Sequence, residues 1–230
     1  PNLGTRAHPR RTSRFDTNHL YLNPRLQPPN MAFEVEPAHT SDAPQMARVF
    51  QAAFSDAFNR KMLPPTEDVN VWAIENVAGG GGAQPHEVFL KICDDEGRVA
   101  AFAKWVQPVD TDDGRHENDD NQGSWPVSAD KELCEVFFGT MSEHHRELMG
   151  TRRHYYLEIL AVDPAYQGRG LASKLLKWGL ARADEEGVEV YLSSSPEGRK
   201  VYEKYGFESR HAFSPFPAYE QLNMIRPIQR

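Results

Sequence analysis

Hydrophobic and polar positions alternate along this chain with two periods, and the switches between them mark its elements. Glu87 to Cys93 (EVFLKIC) and Arg98 to Gln107 (RVAAFAKWVQ) are two apolar runs joined by Asp94-Asp95-Glu96-Gly97, a pattern that predicts an antiparallel hairpin. Ala32 to Glu36 (AFEVE) alternates and predicts a first strand ending at Pro37. Tyr155 to Val162 is almost continuously apolar, as a central strand buried on both faces must be. Val188 to Leu192, a short run from Phe207 and a last run from Tyr219 to Arg226 complete the predicted strands.

The helical period appears between them. Met46, Val49, Phe50, Ala53 and Phe54 recur on one face after the capping residues Ser41-Asp42. Pro64-Pro65 breaks the chain, and Thr66 caps a second helix carrying Trp72, Ile74 and Val77. Lys131 to Met149 places Leu133, Val136, Phe137, Met141 and Leu148 on one side. Leu171, Leu175, Leu176, Gly179, Leu180 and Ala183 predict a long helix stopped by Gly187. Ser195 caps a short helix with Pro196 in its first position, closed by Gly206 after Tyr202 and Tyr205. Gly79 to Gly82 is followed by no Lys-Ser/Thr pair, which favours a flexible connector over a phosphate loop.

Composition narrows the class. A chain of 230 residues with 39% hydrophobic and 26% charged residues is ordinary for a globular protein. Residues 1–30 are rich in Arg, Pro and Asn and lack a sustained apolar period, so they read as a disordered or loosely attached basic arm. The single folded domain is expected over residues 31–230, starting at the first methionine, Met31. The arm carries five arginines and one acid, so a net charge of −7 leaves −11 for the remainder. Such an acidic body argues against nucleic acid as a partner and is compatible with a cationic acceptor. Residues 108–130 hold Asp110, Asp112, Asp113, Glu117, Asp119 and Asp120, either a solvated loop or an acidic flap over such an acceptor.

No apolar run reaches the roughly 18–20 residues of a membrane span. Cys93 and Cys134 form no CxxC pair, which suits free thiols and a cytoplasmic setting, the nucleus being equally reducing. His144 and His145 are adjacent, point about 100° apart on a helix, and are expected at the surface. No metal-ligand spacing stands out, and no metal is expected.

The chemistry centres on Gln167-Gly168-Arg169-Gly170-Leu171-Ala172, a glycine turn between a buried strand and a long helix. Free backbone N–H groups at such a helix start form an anion site. A Walker A loop is excluded, since no GxxxxGK[ST] exists, and a dinucleotide fingerprint is weak because Ser173 stands at its third glycine. What remains is Gln-x-x-Gly-x-Ala, with Val162-Asp163-Pro164 before it and Val201-Tyr-Glu-Lys-Tyr-Gly-Phe207 after it.

These motifs, in this order and spacing, resemble the GCN5-related N-acetyltransferase family (GNAT). The likeness is strong over about 55 residues, and the strand and helix order from Ala32 to Arg226 agrees with it. Trp178-Gly179, Ala183 to Gly187 and Tyr191 to Gly198 look closest to small fungal members, although Ser193 stands where an acid is often found. The resemblance implies an α/β fold: a mixed, mostly antiparallel sheet of six to seven strands, splayed between the fourth and fifth, with four to five flanking helices. It implies acetyl-CoA as acyl donor, with its pyrophosphate on the backbone of Gln167, Gly168, Arg169, Gly170, Leu171, Ala172 and Ser173. Leu160, Ala161 and Val162 would pair with the pantetheine arm, and Ser195 and Tyr202 would lie beside it. Tyr202 would protonate the leaving thiolate, and Glu158, interrupting the apolar strand, is the candidate base unless a cation such as Arg152 or Arg153 holds it as a salt bridge. The acceptor would be a primary amine on a small molecule, peptide or protein, and the enzyme a monomer or homodimer. A catalytically inactive CoA-binding module and transfer of another acyl group are the alternatives.

Overall fold

The computed structural model describes residues 33–109 and 125–229. The basic arm and most of the acidic 108–130 stretch therefore lie outside the described residues. The element order is β1 (Glu36–Pro37), α1 (Ala43–Ala53), α2 (Ala57–Met62), α3 (Glu67–Asn76), β2 (Glu87–Cys93), β3 (Val99–Val106), α4 (Lys131–Met149), β4 (His154–Val162), α5 (Leu171–Glu186), β5 (Glu189–Ser194), α6 (Arg199–Glu203), β6 (Glu208–Phe216) and β7 (Tyr219–Arg226). The strands form one seven-stranded sheet in the order β1-β2-β3-β4-β5-β7-β6. Only the β4–β5 pairing is parallel; the other five are antiparallel.

The middle of the sheet explains the continuous apolar runs. Every residue of β3 is buried, because helices cover both of its faces. Phe102 joins Met46, Ala47, Val49 and Ala73 in the core under α1 and α3, along with Ala161 of β4. Three residues on, Trp105 points the other way and lies against Gly179 of α5. A second core, Phe58, Met62, Cys134, Phe137 and Tyr219, ties α2 and α4 to β7.

Several local expectations shift. The first strand is only Glu36–Pro37, where proline is tolerated because β1 is an edge pairing solely with β2. Asp42 does not cap α1 with its side chain; it accepts from His39 N at 2.8 Å and pairs with Lys91 at 2.8 Å. The unpredicted α2 is capped by Asp56, which accepts from Phe58 N and Asn59 N at 2.9 and 3.1 Å. Gly79 to Gly82 is packed rather than a free connector: Gly80 N and Gly81 N donate to Ile74 O and Glu75 O, closing the end of α3. The short helix starts at Arg199 with Gly198 as its N-cap, while Ser195 closes the preceding turn by accepting from Gly198 N at 3.3 Å.

Candidate active site

The site grows from a fault in the sheet. β4 and β5 pair from His154–Glu189 to Leu157–Leu192 and no further, although β4 runs on to Val162. The fault begins at Glu158: Leu157 faces Trp105 and Ile159 faces Lys104, so Glu158 is the extra residue of a β-bulge. Beyond it, Leu160 and Val162 still pair with Ala103 and Ala101 of β3, leaving their other edge open to the gap between β4 and β5.

The glycine turn stands at the end of that gap. Gly168 and Gly170 have φ of +74° and +80°, backbone that side-chain-bearing residues rarely adopt. Gly170 is the N-cap of α5, and no side chain caps the helix. Among the described residues, a Cβ built on either glycine meets nothing within 4 Å, which leaves space over the turn for a ligand. Uncapped N–H groups, the positive end of a 16-residue helix and that open space fit a phosphate-bearing group. Lys174 is turned elsewhere, donating to Phe33 O at 2.5 Å.

A single cavity of about 1110 Å³ joins the turn to the rest of the site. Leu160, Val162, Gln167, Gly168, Gly170, Leu171, Ala172, Ser173, Ser195, Tyr202 and Glu158 all line it. Two predicted residues do not. The Ala161 side chain is sunk in the core under α1, and the Arg169 guanidinium lies 5.1 Å from the Tyr166 ring and donates to Ala165 O at 3.2 Å. Tyr202 is 9% exposed and packs edge-on against Phe207; burial pushes its phenol well above the usual tyrosine range, so it stays protonated at neutral pH.

Glu158 is held by a cation that sequence reading did not find. Lys104 Nζ lies 2.9 Å from Glu158 Oε2 and 2.8 Å from Glu87 Oε1, its side chain 5% exposed. Burial alone would lower the Lys104 pKa, but the two carboxylates more than offset it and hold the ammonium above its ordinary value. Arg152 and Arg153 instead pair with Glu189 and Glu186. The signal for Lys104 was present: one lysine inside an otherwise apolar run. Its partners were not legible, because strand register brings them together.

Histidines form a further cluster, and here the surface expectation fails. His145 and His154 are 3% and 2% exposed, their Nε2 atoms 2.7 Å apart, with His154 Nδ1 2.6 Å from Arg152 O. His145 also stacks on Tyr191 and lines the cavity. Its neighbour His144 points away toward Asn223, 2.8 Å from Nδ2, and gathers with Glu147 and His211 so that their ligand-capable atoms lie within 4.8 Å of one another. Ser193 lines the cavity but donates its hydroxyl to Asn223 Oδ1 at 2.5 Å. Among the described residues, no helix is long and apolar enough to cross a membrane.

Comparison with known proteins bears on this geometry. Residues 44–207 match the Acetyltransferase (GNAT) family, a span that runs from α1 through the glycine turn to Phe207 beyond Tyr202. The uncharacterized N-acetyltransferase YafP of Escherichia coli strain K12 is 36% identical over 59 residues, 26% of this chain. That match spans 37% of the relative, so the chain covers little more than a third of its length. Among solved structures, arylalkylamine N-acetyltransferase 2 from Aedes aegypti superposes with a TM-score of 0.61 at 15% identity, covering 86% of this chain and 99% of that one. A histone acetyltransferase HPA2 and related acetyltransferase structure from Corynebacterium glutamicum gives 0.56 at 18%, covering 86% and 97%. The ribosomal-protein-S18-alanine N-acetyltransferase of Escherichia coli gives 0.52 at 17%, covering 86% and 94%. At these identities the likeness is one of fold. With the family match spanning most of the chain, the conclusion is direct: this protein belongs to the Acetyltransferase (GNAT) family.

Proposed function

We propose that the chain is an N-acetyltransferase that moves an acetyl group from acetyl-CoA to a primary amine by direct attack in a ternary complex. The observation that carries this reading is the parting of β4 and β5 beside the uncapped start of α5, both opening on one cavity. A pyrophosphate on the N–H groups of residues 167–173 and a pantetheine arm along the free edge of Leu160 and Val162 account for both features. The bound donor supplies an activated thioester. Everything else falls to the chain.

Backbone donors of β4 facing the gap polarise the thioester carbonyl. The amine nitrogen attacks the carbonyl carbon, the C–N bond forms and the C–S bond breaks. One amine proton passes to Glu158, directly or through water, its carboxylate positioned by the Lys104 ammonium 2.9 Å away. The departing thiolate takes its proton from Tyr202, which solvent then restores. The likeness to small fungal members rests on Trp178-Gly179, Ala183 to Gly187 and Tyr191 to Gly198 alone.

Replacing Tyr202 by Phe tests the assignment. Loss of a general acid is expected to lower kcat by about a hundredfold while the acetyl-CoA Kd stays within about twofold. Equal losses in both would make Tyr202 a packing residue only.

A further inference from the structure

Outside the cavity, two histidines and a glutamate converge from a helix and a strand. His144 and Glu147 stand three residues apart on α4, side by side on one face of the helix. His211 comes from β6, and a bulge decides which way it points. Ser209 pairs with Met224 and His211 with Asn223, so Arg210 is the extra residue. Without the bulge, Arg210 would stand opposite Asn223. With it His211 does, and directly opposed residues of an antiparallel pair share a face of the sheet. That face lies under α4, since Asn223 Nδ2 is 2.8 Å from His144 Nδ1.

The spacing suits one ion. The rings of His144 and His211 have centroids 4.9 Å apart and planes 81° from parallel. Two imidazoles on a tetrahedral zinc, with Zn–N bonds of about 2.0–2.1 Å, place their ring centres about 5 Å apart. His211 Nδ1 is 3.8 Å from Glu147 Oε2, against about 3.4 Å between two ligands of such an ion. The ligand-capable atoms of all three residues lie within 4.8 Å of one another, so closing the set takes about 1 Å of movement. The His211 and Glu147 side chains, 40% and 54% exposed, are free to supply it. Among the described residues, no lysine or arginine forms an ion pair with Glu147.

His144 is the fixed member. Phe213 packs edge-on against it at 5.4 Å, and the buried Asn223 holds its Nδ1. The Asn223 amide is held in turn by the hydroxyls of Tyr191 and Ser193, at 2.8 and 2.5 Å. Hydroxyls accept as readily as they donate, so a half-turn of that amide keeps its contacts and lets Oδ1 accept from His144 Nδ1–H. Nε2 is then left to the ion, with the outer partner that a metal-bound imidazole ordinarily has.

We infer that His144, Glu147 and His211 bind a divalent transition-metal ion, zinc above all, with water in the fourth position, and that the ion fastens α4 to β6. Two imidazoles and a carboxylate suit zinc, whereas calcium and magnesium take oxygen ligands. None of the three residues lines the cavity, so the ion braces a wall of it and stands apart from acetyl transfer. Spacing along the chain does not announce the site, because His211 joins the helical pair only through the register of β6.

The test titrates the full chain, free of any tag and stripped of metal by a chelator, with Zn²⁺ by calorimetry and with Mg²⁺ and Ca²⁺ for comparison. One equivalent of Zn²⁺ should bind in the micromolar range or tighter and raise the Tm. His211→Ala and Glu147→Gln, both at exposed side chains, should each weaken that equivalent by more than the roughly 10–100-fold that loss of an outer partner costs. Both should also abolish the Tm shift and leave the acetyl-CoA Kd unchanged. His211→Cys keeps a zinc ligand in place, so it should retain the site and, loaded with Co²⁺, show a thiolate-to-cobalt charge-transfer band that the parent lacks. No Zn²⁺ bound by the parent, or an equivalent that survives both exchanges as an adventitious ion, overturns the inference. So does a missing charge-transfer band, or Mg²⁺ or Ca²⁺ binding as tightly as Zn²⁺. None of these results depends on whether an amine is acetylated.

Discussion

Replacing Gly179 by Ala, ordinarily a stabilising change inside a helix, should damage this protein. A glycine-to-alanine exchange in a helix interior gains about 0.8–1.0 kcal/mol in propensity. At Gly179, however, the new Cβ would sit 2.4, 2.5 and 2.6 Å from Cζ2, Cη2 and Cε2 of Trp105. Ordinary carbon contacts begin near 3.4 Å, so about 1 Å must be found between α5 and β3. Trp105 is 0% exposed and has no space to swing into, so helix and sheet must separate. Overpacking of this kind costs about 1–3 kcal/mol, and three simultaneous overlaps with a rigid ring belong at the upper end. The net expectation is a loss of about 2 kcal/mol, or a Tm lower by about 4–8 °C for a chain of this size.

Thermal and urea unfolding measure that loss directly. A second consequence is functional: α5 carries the glycine turn at its start, so its displacement should raise the acetyl-CoA KM. Adding Trp105→Phe removes the clashing part of the indole, and the double variant should recover about 1–2 kcal/mol relative to the sum of the single ones. A Gly179→Ala protein as stable as the parent, or a strictly additive cycle, would refute the reasoning.

Two further outcomes concern titrating groups. Asp68 accepts from Ser128 N and Ser128 Oγ; the Ser128 backbone bond first, then the Thr66 side chain and the Ser128 hydroxyl, lower its pKa to about 2. Because the folded value is depressed, the stabilisation is present above the unfolded aspartate range near 4 and is lost as pH falls towards 2. The Tm difference between parent and Asp68→Asn should therefore be visible at pH 7 and vanish near pH 2; a difference constant with pH contradicts the assignment. Burial drives the Cys134 thiol up to about 12, and burial also raises Cys93. Neither should react quickly with a thiol reagent at pH 8 until the protein is unfolded, and rapid labelling of Cys134 in the folded state would contradict its packing.

How far the sequence could be read depended on whether a feature was local. β2, α4, α5 and β7 begin and end where their apolar periods and caps say, because a repeat, a cap and a stop residue are all properties of neighbouring positions. The six-residue α2 escaped because one turn and a half is too short for a period to show; only its cap, Asp56, announces it. The glycine turn was legible for the same reason as α5: it is contiguous. The far part of the cavity was not. Glu87, Lys104 and Glu158 sit on three strands and meet through strand register and a bulge, while Trp72, Trp125 and Phe138 converge only once three segments have packed. His145 looked like half of a surface pair, and the partner that buries it, His154, lies across the end of a helix.

The most direct test of the central claim is a single turnover with labelled acetyl-CoA and a slight excess of protein, read by mass spectrometry of both protein and amine. The account predicts acetylated amine and free CoA appearing together in equal amounts, only when the amine is present, with the protein mass unchanged throughout. An acetylated protein that forms without amine and then decays, or acetyl-CoA that stays intact with every amine offered, would contradict direct transfer within a ternary complex.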